Sequence, residues 1–192
     1  MTNRDPNHSR WYIERFRSMA AAGDDLAGEA RLVDAVVRRG ARVLDAGCGP
    51  GRVGAELARR GHVVVGVDVD PVLVAAAEQD HPGPTWLVGD LAELDLPGRG
   101  IAEPFDAIVC AGNVMPFLAA SSRRQVLSRL RAHLADRGRL VVGFGAARDY
   151  DFDDYRDDLR AAALGVDLEL ATWDLQPFTP DADFLVTLLR RA

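Results

Sequence analysis

The stretch Val43–Gly54, VLDAGCGPGRVG, is a short apolar run that ends on an acid and opens into glycines. Read from Gly49 it is G-P-G-R-V-G, which satisfies the G-x-G-x-x-G fingerprint of a dinucleotide site, where a pyrophosphate sits on a helix N-terminus. Read from Asp45 it is D-A-G-C-G-P-G, an acid-led glycine loop of another kind. The glycines alone do not separate the two readings. The residues that follow the other strands do.

The totals bound the answer. A chain of 192 residues suits one α/β domain with some decoration. Hydrophobic residues make up 48% and charged residues 27%, the profile of a globular protein. Net charge is 23 − 29 = −6, and every one of the 23 basic residues is arginine. Such a chain lacks the basic footprint that phosphate backbones require, so no nucleic-acid partner is expected. The two cysteines, Cys48 and Cys110, make neither a disulfide framework nor a zinc spacing, and no metal is expected. The N-terminal stretch MTNRDPNHSRWYIERFRS is too polar for a signal peptide, and no run approaches the roughly 18 apolar residues of a membrane span. A cytoplasmic protein without a membrane partner is the expectation.

Periodicity supplies the architecture. Ser9–Ala22 reads as a helix capped by Ser9 and ended by Gly23, and a second helix covers 26–39 with Leu26, Ala30, Val33 and Val37 on one stripe. Strands follow at 42–46, 62–68, 84–90, 104–110 and 138–144, separated by helices over 52–60, 71–79 and 121–134. Asp70–Pro71 is a strong helix start. Strand and helix alternate with short links, which makes a parallel, doubly wound sheet. After a helix over 153–163, Val166, Leu168 and Leu170 alternate with polar neighbours, and Phe184–Leu189 forms a last strand. The eight residues QPFTPDAD between them are too few for a crossover helix, so the pair is antiparallel. The fold class is therefore α/β, doubly wound and Rossmann-like, with a seven-stranded, mostly parallel sheet and an antiparallel C-terminal hairpin. One domain spans 1–192: a helical cap over 1–40, a core over 41–145, and a terminal helix and hairpin over 146–192.

In an open α/β sheet, ligands bind beyond the carboxyl ends of the strands. Gly47, Gly49 and Gly51 follow the first strand, Asp68 the second, Asp90 the third, and Ala111, Gly112 and Asn113 the fourth. Asp68 suits a ribose diol, with charge-assisted bonds of about 1.5–3 kcal/mol each when shielded from water. Its place 19 residues past Gly49 also fits a dinucleotide site. Asp45 and Asp90 discriminate. A carboxylate at the end of the first strand repels a pyrophosphate and suits a cationic or zwitterionic ligand. Asp90 can accept from the exocyclic amine of an adenine. Asp45 also has a second, purely structural use, tying down the loop.

With these residues in place, the chain resembles the class I S-adenosylmethionine-dependent methyltransferases. VLDAGCGPGR is similar to that family's first motif, VVVGVDVDP to its second, LVGDLAEL to its adenine-contacting third, and FDAIVCAGNVMPFL to its fourth. The resemblance covers about residues 40 to 145. It implies S-adenosyl-L-methionine as cofactor, with Gly47, Gly49 and Gly51 against the methionine part and Asp45 orienting the loop and meeting the ammonium. It further implies Asp68 on the ribose, with Val69 beside it, Asp90 and the Leu91 amide on the adenine, and Ala111 and Asn113 along the path to the acceptor. The antiparallel last strand fits the family as well.

The remaining candidates divide by chemistry. Val114, Met115 and Phe117 make an apolar wall suited to a small organic acceptor. Asn113 is followed by Val-Met-Pro-Phe rather than the Pro-Pro-Tyr or Pro-Pro-Phe of relatives that methylate base and amide nitrogens. Trp11 and Tyr12 on the cap, with His8 near them, are candidates to contact ligand. Cys48 and Cys110 read as small buried residues, and His62 and His133 as helix-end or surface residues. The segment RDYDFDDYRDDLR (148–160) reads as a solvated helix face, or alternatively as an acidic rim that draws a cationic substrate. Since a sulfonium methyl is already activated, alignment and desolvation suffice, and no catalytic dyad is expected. The other readings are another S-adenosyl-compound enzyme such as an aminopropyl transferase, a non-catalytic cofactor-binding protein, and a nicotinamide-dependent oxidoreductase. The oligomer is read as monomer or homodimer.

Overall fold

A computed structural model of the protein describes residues 6–146 and 150–192. Its centre is a seven-stranded sheet of β1 (Arg42–Ala46), β2 (Val63–Asp68), β3 (Thr85–Val88), β4 (Phe105–Cys110), β5 (Leu134–Gly145), β6 (Leu164–Leu170) and β7 (Phe184–Arg191). The order across the sheet is β3-β2-β1-β4-β5-β7-β6. The β1–β2, β1–β4, β2–β3 and β4–β5 pairs are parallel, and β7 runs antiparallel to both β5 and β6. The reversal of strand order between β1 and β4 opens a switch-point crevice at their carboxyl ends.

Helices cover both faces. On one face α2 (Gly28–Val36) and α3 (Arg52–Arg59) bury Ala30, Val33, Val53 and Leu57 against Val43, Val109 and Val186. On the other, α6 (Arg123–His133) and α7 (Phe152–Ala161) bury Leu127, Leu130, Tyr155 and Leu159 against Leu44, Ile108 and Leu140. Burial on both faces explains why β1, β2 and β4 read as continuous apolar runs. α4 (Pro71–Asp80) starts as its sequence dictates, with Pro71 at its first position and Asp70 Oδ1 accepting from the Val72 amide at 2.9 Å. No helix among the described residues is long and apolar enough to cross a membrane.

Several sequence expectations are corrected. α1 (Pro6–Ala22) begins before Ser9, so Ser9 is not its cap; buried inside the helix, it turns its hydroxyl to another element. β5 starts at Leu134, directly after α6, and pairs Leu134 with Phe105 before a register shift. The strand read from the alternation of Val166, Leu168 and Leu170 is present as the edge strand β6, with Val166 and Leu168 exposed, Leu170 buried and a register shift between Val166 and Leu168. A short helix α5 (Val114–Phe117) follows the turn after β4. Of the acidic segment 148–160, residues 148 and 149 lie outside the described residues.

One packing contact sets the geometry of the glycine loop. The Trp86 ring of β3 crosses β2 and meets α3, donating from Nε1 to the His81 carbonyl at 2.9 Å. A β-carbon at Gly54 would stand 2.8 Å from Trp86 Cη2 and 3.0 Å from Asp45 Oδ2, and one at Gly66 would overlap Trp86 Cε3 and Cζ3. Gly54, the last glycine of the G-x-G-x-x-G reading, is thus a slot for an indole ring. Gly66→Ala overpacks that slot and is expected to cost about 1–3 kcal/mol, seen as a lower urea midpoint at unchanged m. In a Trp86→Leu background the same substitution should cost less than half as much, which a double-mutant cycle measures.

Candidate functional site

The loop from Gly47 to Gly51 spans the β1 side of the crevice. Its amides are already committed within the protein. Gly47 and Cys48 donate to the Val67 carbonyl at 2.8 and 3.1 Å, and Gly51 donates to the Cys48 carbonyl at 3.0 Å. Gly49 donates to Asp68 Oδ2 at 2.9 Å, and Pro50 has no N–H to give. Gly51 adopts φ +85 as it leads into α3, a left-handed conformation that favours glycine. A pyrophosphate needs several free loop amides. With none of these four left over, this loop is not a dinucleotide cradle.

Asp45 holds the turn from inside. It is 2% exposed, and its Oδ2 accepts from the Gly54 amide in the first turn of α3 at 2.8 Å. A helix N-terminus favours the anion, but burial dominates and pushes the Asp45 carboxyl up to about 7. The same burial pushes the thiol of Cys110 up to about 12 and that of Cys48 higher still. Both cysteines are inert, buried small residues, as expected.

β2 delivers Asp68, whose two oxygens organise the next turn. Oδ2 takes the Gly49 amide and Oδ1 takes the Asp70 amide at 2.9 Å. Four acceptor positions on a carboxylate leave room for further donors. Val69 next to it is 47% exposed. Asp70 Oδ2 accepts from Ser9 Oγ at 2.5 Å, which latches α1 onto this turn. Asp90 is exposed and gives Oδ1 to the Ala92 amide at 2.9 Å. The Leu91 side chain is buried in the core, so only its backbone faces outward.

The β4 side carries Ala111, buried, then Gly112 and Asn113. Asn113 sits at φ +63, and its Oδ1 accepts from the Gly145 amide at 2.8 Å. It clasps the ends of β4 and β5. Met115 does not line the site: it is 1% exposed, in the core against α6. Val114 packs where a β-carbon on Gly47 would be, and Phe117 is exposed.

The cap divides its two aromatic candidates. Trp11 points outward at 56% exposure, beside His8 (ring centroids 5.7 Å) and under Arg15 (5.6 Å). Tyr12 turns inward. Its Cε1 stands 3.6 Å from a β-carbon placed on Gly49, and its hydroxyl 3.8 Å from one on Gly112. It therefore bridges both lips of the crevice. Burial raises its phenol, which stays protonated at neutral pH.

Other expectations resolve structurally. His62 and His133 are buried rather than surface residues. His62 Nε2 pairs with Asp34 at 2.9 Å; His133 Nε2 accepts the Leu96 amide at 3.1 Å while Nδ1 donates to the Arg129 carbonyl at 2.8 Å. The acids of helix α7 are partly paired: Asp158 accepts from Tyr150 at 2.7 Å and Arg124 at 2.6 Å, Asp151 caps the helix, and Asp153 and Asp157 pair with Arg156 and Arg160. No cluster of potential metal ligands occurs among the described residues. A cavity of about 550 Å³ lies behind the loop, between α1, α3 and the α1–α2 link, away from Asp68 and Asp90. Around it Arg17 pairs with Asp80, Arg59 with Glu56, and Asp25 with Arg31.

Sequence reasoning missed Arg52 and Ser9. The Arg52 guanidinium binds Glu29 through both nitrogens at 2.8 and 2.5 Å and the Leu26 carbonyl at 2.5 Å, and it covers Phe16 at 5.2 Å. Only tertiary structure shows these partners, since they lie 23 and 26 residues away in the chain. The whole arrangement fits a nucleoside with a cationic tail: carboxylates end β1 and β2 and follow β3, and the loop is unsuited to phosphates.

The Asp45 shift has a measurable sign. Raised from 3.8 to about 7, the folded carboxyl holds a proton that the unfolded one has lost between those values. Its contribution to stability therefore falls as pH rises from about 4 to about 7, then levels. Asp45→Asn keeps an oxygen for the Gly54 amide without the buried charge. Relative to wild type, its urea midpoint should improve from pH 5 to pH 8.

Comparison with known proteins agrees. The Methyltransferase domain family matches residues 43–138, half of the chain. A TehB-like SAM-dependent methyltransferase from Corynebacterium glutamicum has 44% identity and a TM-score of 0.92, over 98% of this chain and 100% of that one. An uncharacterised methyltransferase of Mycobacterium tuberculosis is 39% identical over 114 residues, 58% of this chain and 54% of that protein. Magnesium-protoporphyrin O-methyltransferase of Rhodobacter capsulatus is 39% identical over 103 residues, 50% of this chain and 43% of that one. The chain thus spans about half the length of the curated relatives it matches. With its β4–β5–β7–β6 flank, acid-led glycine loop and strand-end carboxylates, the chain belongs to the class I S-adenosylmethionine-dependent methyltransferase family.

Proposed function

We propose that this protein binds S-adenosyl-L-methionine in the β1–β4 crevice and methylates a small organic acceptor. The observation that carries the reading is the polarity of the crevice. Its loop amides are spent internally, while Asp68 and Asp90 stand at the ends of β2 and β3, with Asp45 buried beneath the loop. That surface attracts a cationic nucleoside and repels a pyrophosphate.

Asp68 would hold the ribose hydroxyls with its remaining lone pairs, and Val69 would cover the adenine beside it. Asp90 would take the exocyclic amine and the Leu91 amide a ring nitrogen. Gly47, Gly49 and Gly51 would let the backbone approach the methionyl part, with Asp45 keeping negative charge beneath its ammonium. Bound there, the cofactor supplies an activated methyl on its sulfonium. The protein's part is to align the acceptor and exclude water. Ala111, Gly112 and Asn113 shape the path on the β4 side, and the α1 cap roofs it. The relatives named for magnesium protoporphyrin support a small-molecule acceptor. The acidic surface and reduced thiols suit a cytoplasmic setting without nucleic acid.

Isothermal titration with S-adenosylhomocysteine tests the reading, with NAD as control. Micromolar binding of the former alone is expected; binding of NAD alone would overturn it. Asp68→Ala should weaken S-adenosylhomocysteine more than tenfold, and unchanged affinity would remove Asp68 from the ribose site. An acceptor screen that detects S-adenosylhomocysteine release separates an enzyme from a silent binding protein.

A further inference from the structure

The amino-acid end of the cofactor carries a carboxylate as well as an ammonium, and the crevice is poor in donors for it. The Gly47, Cys48, Gly49 and Gly51 amides are committed to protein acceptors. Other nearby donors are also engaged. Ser9 Oγ donates to Asp70 and the Arg52 guanidinium to Glu29 and Leu26, while Asn113 is held on the β4 side with its Oδ1 accepting the Gly145 amide. The Tyr12 hydroxyl has no hydrogen-bond partner among the described residues. It stands between the loop after β1 and the turn after β4, 3.8 Å from a β-carbon placed on Gly112.

Building on the cofactor reading above, we propose that Tyr12 is the donor for that carboxylate, its phenol O–H reaching down from the cap helix to the methionyl end of the ligand. A half-buried phenol O–H without a protein acceptor gains most when a charged acceptor arrives. Its position is fixed through a chain of contacts. Tyr12 meets Phe16 edge-on (centroids 4.9 Å, 75°), the Arg52 guanidinium covers Phe16, and Glu29 grips Arg52 in two places. Arg52 is also the first residue of α3, immediately after the glycine loop. The loop that receives the ligand thus sets the residue that closes over it. Tyr12 would discriminate ligands with an intact amino-acid carboxylate from those without one.

The test compares S-adenosylhomocysteine with its decarboxylated analogue, which keeps the ammonium, on wild type and Tyr12→Phe by calorimetry. Tyr12→Phe should weaken S-adenosylhomocysteine about tenfold and leave the analogue within twofold. Equal losses for both compounds, or none, would overturn the assignment. Wild type alone gives a second arm, independent of how the variant folds: it should bind the analogue at least tenfold more weakly, and equal affinity would also overturn the assignment. If wild type binds neither compound, the cofactor reading itself fails, a result distinct from a failure at Tyr12.

Discussion

The bond from the Gly54 amide to the buried Asp45 carboxylate is the constraint on which the rest of the site depends. It ties the end of β1 to the first turn of α3 across the glycine loop. Once those ends are fixed, the loop can only close on its own backbone and on Asp68, and its amides are consumed in doing so. Trp86 fills the space beneath, against Gly51, Gly54 and Gly66. The cost is a carboxyl pushed up to about 7 by burial. A stability penalty held at a binding loop is a common mark of a site that a ligand completes.

Asp68 and Asp70 extend that constraint to the cap. Asp68 takes an amide from each of the two turns it joins, Gly49 on one side and Asp70 on the other. Asp70 starts α4 and receives Ser9 from α1. The cap otherwise docks through Ile13 against Leu73 and Ala76, the Arg17–Asp80 pair and the Arg52 clamp. Few apolar contacts and several polar latches, over a partly hollow interface, describe an element of low local stability.

On the acceptor side the structure narrows the sequence reading. Met115 belongs to the core and so does not line the crevice. The crevice between β1 and β4 is instead bounded by Tyr12, Gly112 and Asn113, with the Asn113–Gly145 clasp fixing the separation of β4 and β5.

What the sequence determined by itself was local and periodic. The apolar runs of β1, β2 and β4, the Asp70–Pro71 helix start, and the placing of Asp45, Asp68 and Asp90 at strand ends all follow from hydrophobic period and turn chemistry. The two meanings of Val43–Gly54 were separable there because a carboxylate at the end of β1 is incompatible with a pyrophosphate. Tertiary structure alone decided the partners. That Gly54 receives Trp86, that Ser9 reaches Asp70 across 61 residues, and that Tyr12 rather than Trp11 faces the crevice depend on how α1 rotates against α4. Adjacent residues on a helix point about 100° apart, and only the packing of Ile13 on Leu73 and Ala76 selects which of them turns inward.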